Sequence, residues 1–396
     1  MDDYLDCDLI IIDEFSMVDT WLANQLFSVI ASTTQVIIVG DSDQLPSVGP
    51  GQVLSDLLKI DTLPQLALTK IFRQSEDSTI VTLANQMRQG QLPADFTQKK
   101  PDRSYFEASA TYIPNMIAKI VQSAVKSGIN PQEIQILAPM YRGAAGINRL
   151  NTIIQDLLNP LDNQQDFAFG EMSFRKGDKI LHLINDAELN VFNGDIGYIT
   201  DLIPAKYTES KQDELYLSFD GNEVIYPRNE WHKITLAYAM SIHKSQGSEF
   251  QVVILPITHQ SRRLLQRNLI YTAITRSKSK LVMLGELAAF DYAIKNEGDK
   301  RKTYLVQRFS NDNLAQETAE KQVETPQETA TPENQNYQNV AVPADTAVEE
   351  QIQLTLDIDN QVEQETQAYR LTEENIPFID PMIGLTTADI ERFFKS

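Results

Sequence analysis

Cysteine is almost absent from this sequence: Cys7 is the only one in 396 residues. A disulfide framework and a cysteine-built zinc site each need several thiols, so both are excluded, and a reducing cytoplasm fits. No apolar run reaches the roughly 20 residues that a membrane-spanning helix needs. Residues 1–8 (MDDYLDCD) are acidic where a secretory signal would be basic. The chain therefore reads as soluble and cytoplasmic. Positive charge is also scarce, with 34 Lys and Arg against 55 Asp and Glu, a formal net charge of −21. Taken whole, that balance argues against a polyanionic partner. What is present is a hydrophobic fraction of 42%, ordinary for a chain with real cores, and a length that predicts two to three domains at about 100–200 residues each.

The charge is unevenly spread. From residue 311 onward there are 18 acidic and four basic residues, so this stretch carries −14 and leaves −7 to the first 310. Between residues 311 and 368 the only aromatic is Tyr337, a composition too poor in apolar surface to offset chain entropy. Residues 311–396 read as a disordered acidic tail, with a short docking motif or a plain solvated end at 371–394. Residues 259–285 invert the balance: Arg262, Arg263, Arg267, Arg276, Lys278 and Lys280 stand there without one acid. A local polyanion site is compatible with the net charge.

Residues 9–13 (LIIID) and 35–41 (QVIIVGD) are short apolar runs ending in carboxylates. The helical spacing of Trp21, Leu22, Phe27 and Ile30 lies between them, with Asp19 or Thr20 as cap. Strands at 133–140, 251–256 and 280–285 and helices at 144–158 and 264–275 repeat the alternation. This is α/β architecture, with parallel sheets covered on both faces and functional residues at the carboxyl ends of strands. Between about 161 and 235 the texture changes to short alternating β runs with turns at Asn193-Gly194 and Asp220-Gly221, read as a small β-barrel inserted in the second α/β domain.

Asp13-Glu14 closes the first strand as the acidic pair of a nucleotide hydrolase does, one carboxylate helping to hold Mg²⁺ and the next polarising the attacking water. Gln44, on the loop after the next strand, can reach a γ-phosphate and that water without adding charge. Arg276, in the basic stretch, can neutralise a transferring phosphoryl group from a second domain, and Arg73 can do so from the domain junction. Gly247 permits close backbone approach to a ligand, and Glu249 can accept from a ribose hydroxyl. His243, Lys244 and Ser245 offer donors to the phosphates of a single strand, and His243 lacks the neighbours of a metal site.

The segments IIDEFSMVD (11–19) and GDSDQLPSVGPG (40–51) resemble motifs II and III of superfamily 1 helicases, closest in wording to the RecD-like 5′→3′ DNA helicases, which include the alpha subunit of exodeoxyribonuclease V. In the expected order, Ile71-Phe72-Arg73-Gln74 resembles motif IV. Residues 138–148 (APMYRGAAGIN) resemble the opening of the second motor domain, 241–250 (SIHKSQGSEF) motif V and 271–276 (YTAITR) motif VI. The resemblance covers about residues 5–290. It implies tandem RecA-like P-loop NTPase motor domains: the C-terminal part of the first over 1–75, and the second over 76–160 and 236–310 with the barrel at 161–235 inserted. It also implies ATP and Mg²⁺ as cofactors and single-stranded DNA as partner. Asp13, Glu14, Gln44, Arg73 and Arg276 become catalytic residues, with Asp13 on the metal. Gly247 and Glu249 bind nucleotide, and Pro46, Arg142, His243, Lys244 and Ser245 contact DNA. Tyr141, Phe192, Trp231 and His232 are aromatic candidates for stacking, with the core the better expectation for Tyr141 and Phe192.

One part is missing. A nucleotide motor needs G-x-x-x-x-G-K-[ST], whose amides cradle the phosphates and whose lysine reaches the β and γ groups, and no Gly-Lys dipeptide occurs in the chain. The first motor domain is therefore expected to be incomplete, with the preceding helicase segment or other helicase-nuclease subunits as further partners. Two readings stay open: the C-terminal portion of an ATP-dependent helicase acting in DNA repair or recombination, or a catalytically inactive module that binds single-stranded DNA or a partner.

Overall fold

The computed structural model describes residues 4–68, 78–162, 164–298 and 301–310. Arg73 with its motif IV segment and the expected acidic tail lie outside the described residues.

Two parallel strands open the chain, β1 (Leu9–Ile12) and β2 (Gln35–Ile38), linked through α1 (Thr20–Ser28) and followed by α2 (Val53–Leu57). Asp19 caps α1, its carboxylate accepting from the Leu22 amide at 2.8 Å. The register pairs Ile10 with Val36 and Ile12 with Ile38, so these four share one face. Ile12 and Ile38 pack beside Ala23, Leu26 and buried Phe15. The opposite face is bare: Leu9, Ile11, Ile37 and Val39 are all exposed, Ile11 by 63%.

Next come α3 (Thr79–Arg88), β3 (Arg103–Glu107), α4 (Ile113–Lys126), β4 (Ile134–Ala138) and α5 (Ile147–Leu158). In α4, Ile113, Ile117 and Val121 recur every four residues and are buried, each such side chain contributing about 1.5–3 kcal/mol. The helix expected from residue 144 begins instead at Ile147, because the Gly146 amide first closes a turn on the Gly143 carbonyl at 3.1 Å, where a Cβ would stand 2.5 Å from the Arg142 carbonyl.

A different layer follows: the hairpin β5 (Asp166–Phe169) and β6 (Met172–Arg175), then β7 (Lys179–His182), β8 (Ile196–Ile203), β9 (Glu214–Phe219), β10 (Asn222–Pro227) and β11 (Ile234–Leu236). The last five form an antiparallel sheet in the order β10-β9-β8-β7-β11, with no ladder joining β10 to β11 among the described residues. Asp220 and Gly221, at φ 47° and 85°, make the tight β9–β10 turn. Trp231 corrects the expectation of a stacking residue: it is fully buried, lies parallel to Phe167 at 5.6 Å and donates to the Tyr226 carbonyl at 2.9 Å. Phe192, expected in the core, is 45% exposed.

The chain then returns through β12 (Ala239–Ser241), β13 (Phe250–Ile257), α6 (Arg267–Thr275), β14 (Ser277–Gly285), α7 (Leu287–Lys295) and α8 (Leu305–Ser310). Strands β12-β4-β13-β14-β3 form a wholly parallel sheet. Every residue of β4 is buried, as a strand covered on both faces requires. The helix expected from Leu264 starts at Arg267, after a 3-10 turn at His259–Leu264. Lys179 joins the two sheets: its ammonium donates to the Gln132 and Ile134 carbonyls and to Gln135 Oε1 at 3.0, 3.3 and 2.9 Å, and burial drives its pKa down to about 7.

Helix α3, which packs on α6, takes its cap from a distant residue. The Asp102 carboxylate accepts from Ser78 Oγ at 2.9 Å, from the Thr79 and Ile80 amides at 2.8 and 3.2 Å, and from Thr79 Oγ1. Burial opposes its ionisation, but these donors outweigh that and hold its pKa below the ordinary 3.8. A depressed folded pKa contributes stability above the unfolded value and loses it as pH falls through the folded value. Asp102→Ala is expected to cost about 1–2 kcal/mol at neutral pH, with the gap between variant and wild type closing below the ordinary carboxylate range. Urea unfolding at a series of pH values checks this; a gap that stays constant into acid contradicts it.

Candidate active site and strand-binding edge

The chain turns sharply at the end of β1. Glu14 adopts the left-handed conformation (φ 51°, ψ 39°), its amide donates to Asp13 Oδ1 at 2.8 Å, and the Phe15 amide donates to the Val39 carbonyl at 2.9 Å. For a residue other than glycine that backbone costs about 1–2 kcal/mol, offset here by seating Phe15 in the core. Asp13 is exposed and Glu14 half-buried. After β2, Gly40 approaches this turn so closely that a Cβ would stand 3.1 Å from the Phe15 and Ser16 amides. A larger residue would have to push the Leu54 side chain and these amides aside, so glycine suits the close approach of the two strand-end loops.

The Gly40–Gly51 loop is held by elements more than 200 residues away. Gln44 Nε2 donates to Asp41 Oδ2 at 3.4 Å, and Gln44 Oε1 accepts from Arg276 Nη2 at 3.2 Å. Tyr271 Oη donates to Asp41 Oδ2 at 2.9 Å, Thr272 Oγ1 accepts from the Leu45 amide at 2.8 Å, and Gln246 Nε2 donates to the Leu45 carbonyl at 3.0 Å. Burial and then the Asp41 charge raise the Tyr271 pKa, keeping the phenol a donor. Burial, followed by the Asp41 charge, also raises the Asp43 carboxyl, against the opposing pull of Arg88 and Arg267. Arg276 is only 2% exposed. It caps the C-terminus of α6 and donates to the Thr272 carbonyl at 3.2 Å and the Ser248 carbonyl at 3.4 Å. Its own carbonyl accepts from the Phe250 amide at 2.9 Å, which knits Gly247 and Glu249 to it. Gly247, at φ +77°, faces open space, and Glu249 Oε2 pairs with Lys278 Nζ at 3.5 Å.

A cavity of about 20 Å³ lies between the two loops, lined in part by Ser16, Gln44 and Pro46. Ser16 Oγ is buried and unpaired, so a hydroxyl is available in the lining of this cavity. The structure thus gathers Gln44, Arg276, Gly247 and Glu249, with Asp13 and Glu14 on the adjoining loop.

The strand-binding candidates leave one end of the parallel sheet. Strands β12 and β4 are neighbours in parallel register, Ser241 opposite Ala138, so the turn at His243–Ser245 and the loop carrying exposed Arg142 emerge together. His243 is half-buried. Lys244 is buried and donates to Asn193 Oδ1 at 2.6 Å. Ser245 corrects the sequence reading: it is fully enclosed and its hydroxyl donates to the Ile242 carbonyl at 2.8 Å, so it shapes the turn rather than facing a ligand.

Sequence reasoning missed Arg301, whose guanidinium donates to the Ser47 and Gly49 carbonyls, both at 2.7 Å, and clamps the far end of the Gln44 loop. No periodicity or motif surrounds Arg301, so the sequence carried no signal for it.

Residues 3–108 match the AAA domain family, 150–219 the ATP-dependent RecD-like DNA helicase SH3 domain, and 236–284 the UvrD-like helicase C-terminal domain. The ATP-dependent RecD2 DNA helicase of Deinococcus radiodurans is 32% identical over 302 residues, 76% of this chain and 40% of that protein. The chain belongs to the RecD-like superfamily 1 helicases. A second RecD-like relative, the RecBCD enzyme subunit RecD of Mycolicibacterium smegmatis, is 27% identical over 73% of this chain and 52% of its own length. This RecD-like chain thus spans about half or less of the length of these two relatives. Among solved structures, a Pif1 helicase from Bacteroides in complex with ADP-AlF3 and ssDNA aligns at a TM-score of 0.47 and 20% identity, covering 80% of this chain and 76% of that one. No helix among the described residues is long and apolar enough to cross a membrane.

Proposed function

We propose that this RecD-like chain supplies the second motor domain, and the strand-end half of the first, to an ATP-dependent 5′→3′ DNA helicase that couples ATP hydrolysis to movement along single-stranded DNA in repair or recombination. The contact between Gln44 and Arg276 carries the reading. It joins the loop that would sense the γ-phosphate to an arginine at the C-terminus of α6, beside a different sheet, as a motor that closes on nucleotide requires. Glu14 polarises the attacking water, Gln44 orients it, and Arg276, with Arg73, neutralises charge on the transferring phosphoryl group. Gly247 and Glu249 border the nucleotide.

Asp13 suits magnesium as a hard oxygen donor. Among the described residues no group of three or more His, Cys, Asp or Glu gathers to hold a metal; the proposed ion would be held through Asp13, water and substrate phosphates. Bound there, Mg²⁺ would neutralise phosphate charge. Pro46, Arg142, His243 and Lys244 border the path of the strand, with residues 161–235 as the barrel beside it. Because no Gly-Lys loop occurs in the chain, hydrolysis on this reading requires a phosphate-binding segment from outside it. The bare face of Leu9, Ile11, Ile37 and Val39 supports a further helicase segment or subunit lying against β1 and β2.

The test joins this chain to the loop-bearing half of a RecD-like motor. The joined protein is expected to hydrolyse ATP in response to single-stranded DNA and to unwind duplexes with 5′ tails but not 3′ tails, whereas the chain alone hydrolyses none. Vigorous turnover by the chain alone, or unwinding only from 3′ tails, contradicts the proposal.

A further inference from the structure

We infer that Phe192 is a base-stacking contact for single-stranded nucleic acid, held beside the β12 end of the parallel sheet by Asn193; this rests on the strand-binding reading above and adds a residue to it. Single exposed apolar side chains are common and by themselves signify nothing. Phe192 differs in how its backbone is fixed. Its neighbour Val191 is fully buried in the core. The Phe192 amide donates to Asp195 Oδ2 at 2.7 Å, and its carbonyl accepts from the Asp195 amide at 3.0 Å. The Asn193 amide donates to Asn185 Oδ1 at 3.0 Å and the Gly194 amide to the His182 carbonyl at 2.9 Å, with Gly194 at φ +102°. A loop bonded at each successive position presents the ring outward with its conformational entropy already spent.

The second observation is the link to Lys244. Asn193 Oδ1 accepts from its ammonium at 2.6 Å, which anchors the Phe192 loop to the turn following β12, beside the strand whose own loop carries exposed Arg142. Two of the three acids of the Phe192 loop are engaged internally, Asp186 by Lys233 at 3.1 Å and Asp195 by the Phe192 amide, which reduces their repulsion of a phosphate, while Glu188 is exposed. An exposed aromatic face on a fixed loop, tied through its neighbour to a lysine of the strand-binding turn, is an arrangement that can stack on an unpaired base without sequence preference. The occupant is one base of a single strand.

The experiment compares the full chain's affinity for a fluorescein-labelled oligothymidylate with that for an abasic oligonucleotide of equal length, by anisotropy. Wild type is expected to prefer the strand that carries bases. Phe192→Ala and Phe192→Leu are expected to lose about 5- to 100-fold in affinity for it and little for the abasic strand. Phe192→Trp is expected to retain affinity and to show emission quenching by oligothymidylate beyond any change from Trp21 and Trp231 in wild type. Equal losses on both strands, or Phe192→Leu binding as wild type, overturn stacking. Binding that Arg142→Ala weakens and Phe192→Ala leaves intact overturns the Phe192 assignment alone. No binding of either strand by wild type overturns the strand-binding reading together with it.

Discussion

Arg276→Ala is expected to lower DNA-stimulated ATP turnover by the joined motor about 1,000-fold or more, with little change in the KM for ATP. A charge supplied to the transferring phosphoryl group acts in the transition state, so the loss falls on kcat. The structure gives the reason for choosing this arginine: one Nη2 group meets Gln44 on the loop beside Glu14, while Nε and Nη1 are fixed by the Thr272 and Ser248 carbonyls. The side chain is thus aimed before any ligand arrives, and the C-terminus of α6 favours its positive charge. Arg276→Lys is expected to recover little, because a compact ammonium lacks the planar fork whose three nitrogens reach the two carbonyls and Gln44 separately. Alanine also leaves those carbonyls without their donor, so the melting temperature must be followed in parallel. A variant that melts lower but turns over normally assigns Arg276 to stability alone.

Glu14→Gln is expected to lower turnover by about 100-fold or more, while DNA and nucleotide binding persist. Glutamine keeps the size of the side chain and the left-handed backbone, already accommodated by the Phe15 anchor, and removes only the capacity to take a proton from water. Asp13 stays in place, so nucleotide affinity measured with Mg²⁺ should be nearly unchanged. Retained hydrolysis would move the base elsewhere and remove the basis for reading the strand-end pair as a hydrolytic one.

The parts of the site written into local pattern were legible in the sequence. Apolar runs ending in carboxylates announced parallel strands with Asp13 and Asp41 at their carboxyl ends, and the strands at β4 and β13 were marked by unbroken hydrophobicity. Features set by distant packing were not legible. Val191 and Phe192 are adjacent and both apolar, and the choice of which faces the core depends on loop bonds to Asn185 and Asp195. Trp231 sits in a 3-10 stretch, Arg228–Lys233, where neither a two-residue nor a 3.6-residue period applies. Ser245 looked like a ligand donor because a hydroxyl in a basic motif has that chemistry, but a carbonyl three residues back claims it. The Gln44–Arg276 contact spans 232 residues, and no local rule reports it.

Lys244 and Gln246 stand two residues apart, and each reaches a different neighbour: Lys244 holds Asn193, and Gln246 holds the Leu45 carbonyl next to Gln44. Between those two grips runs a tight 3-10 turn whose core residue Ser245 is bolted to Ile242. The turn therefore ties the Asn193 loop to the Gln44 loop through one short stretch of chain. On the proposed function, a tilt of the Gln44 loop would reach the Asn193 loop by way of this one short bend, in parallel with the bonds that Tyr271, Thr272 and Arg276 make to the Gln44 loop.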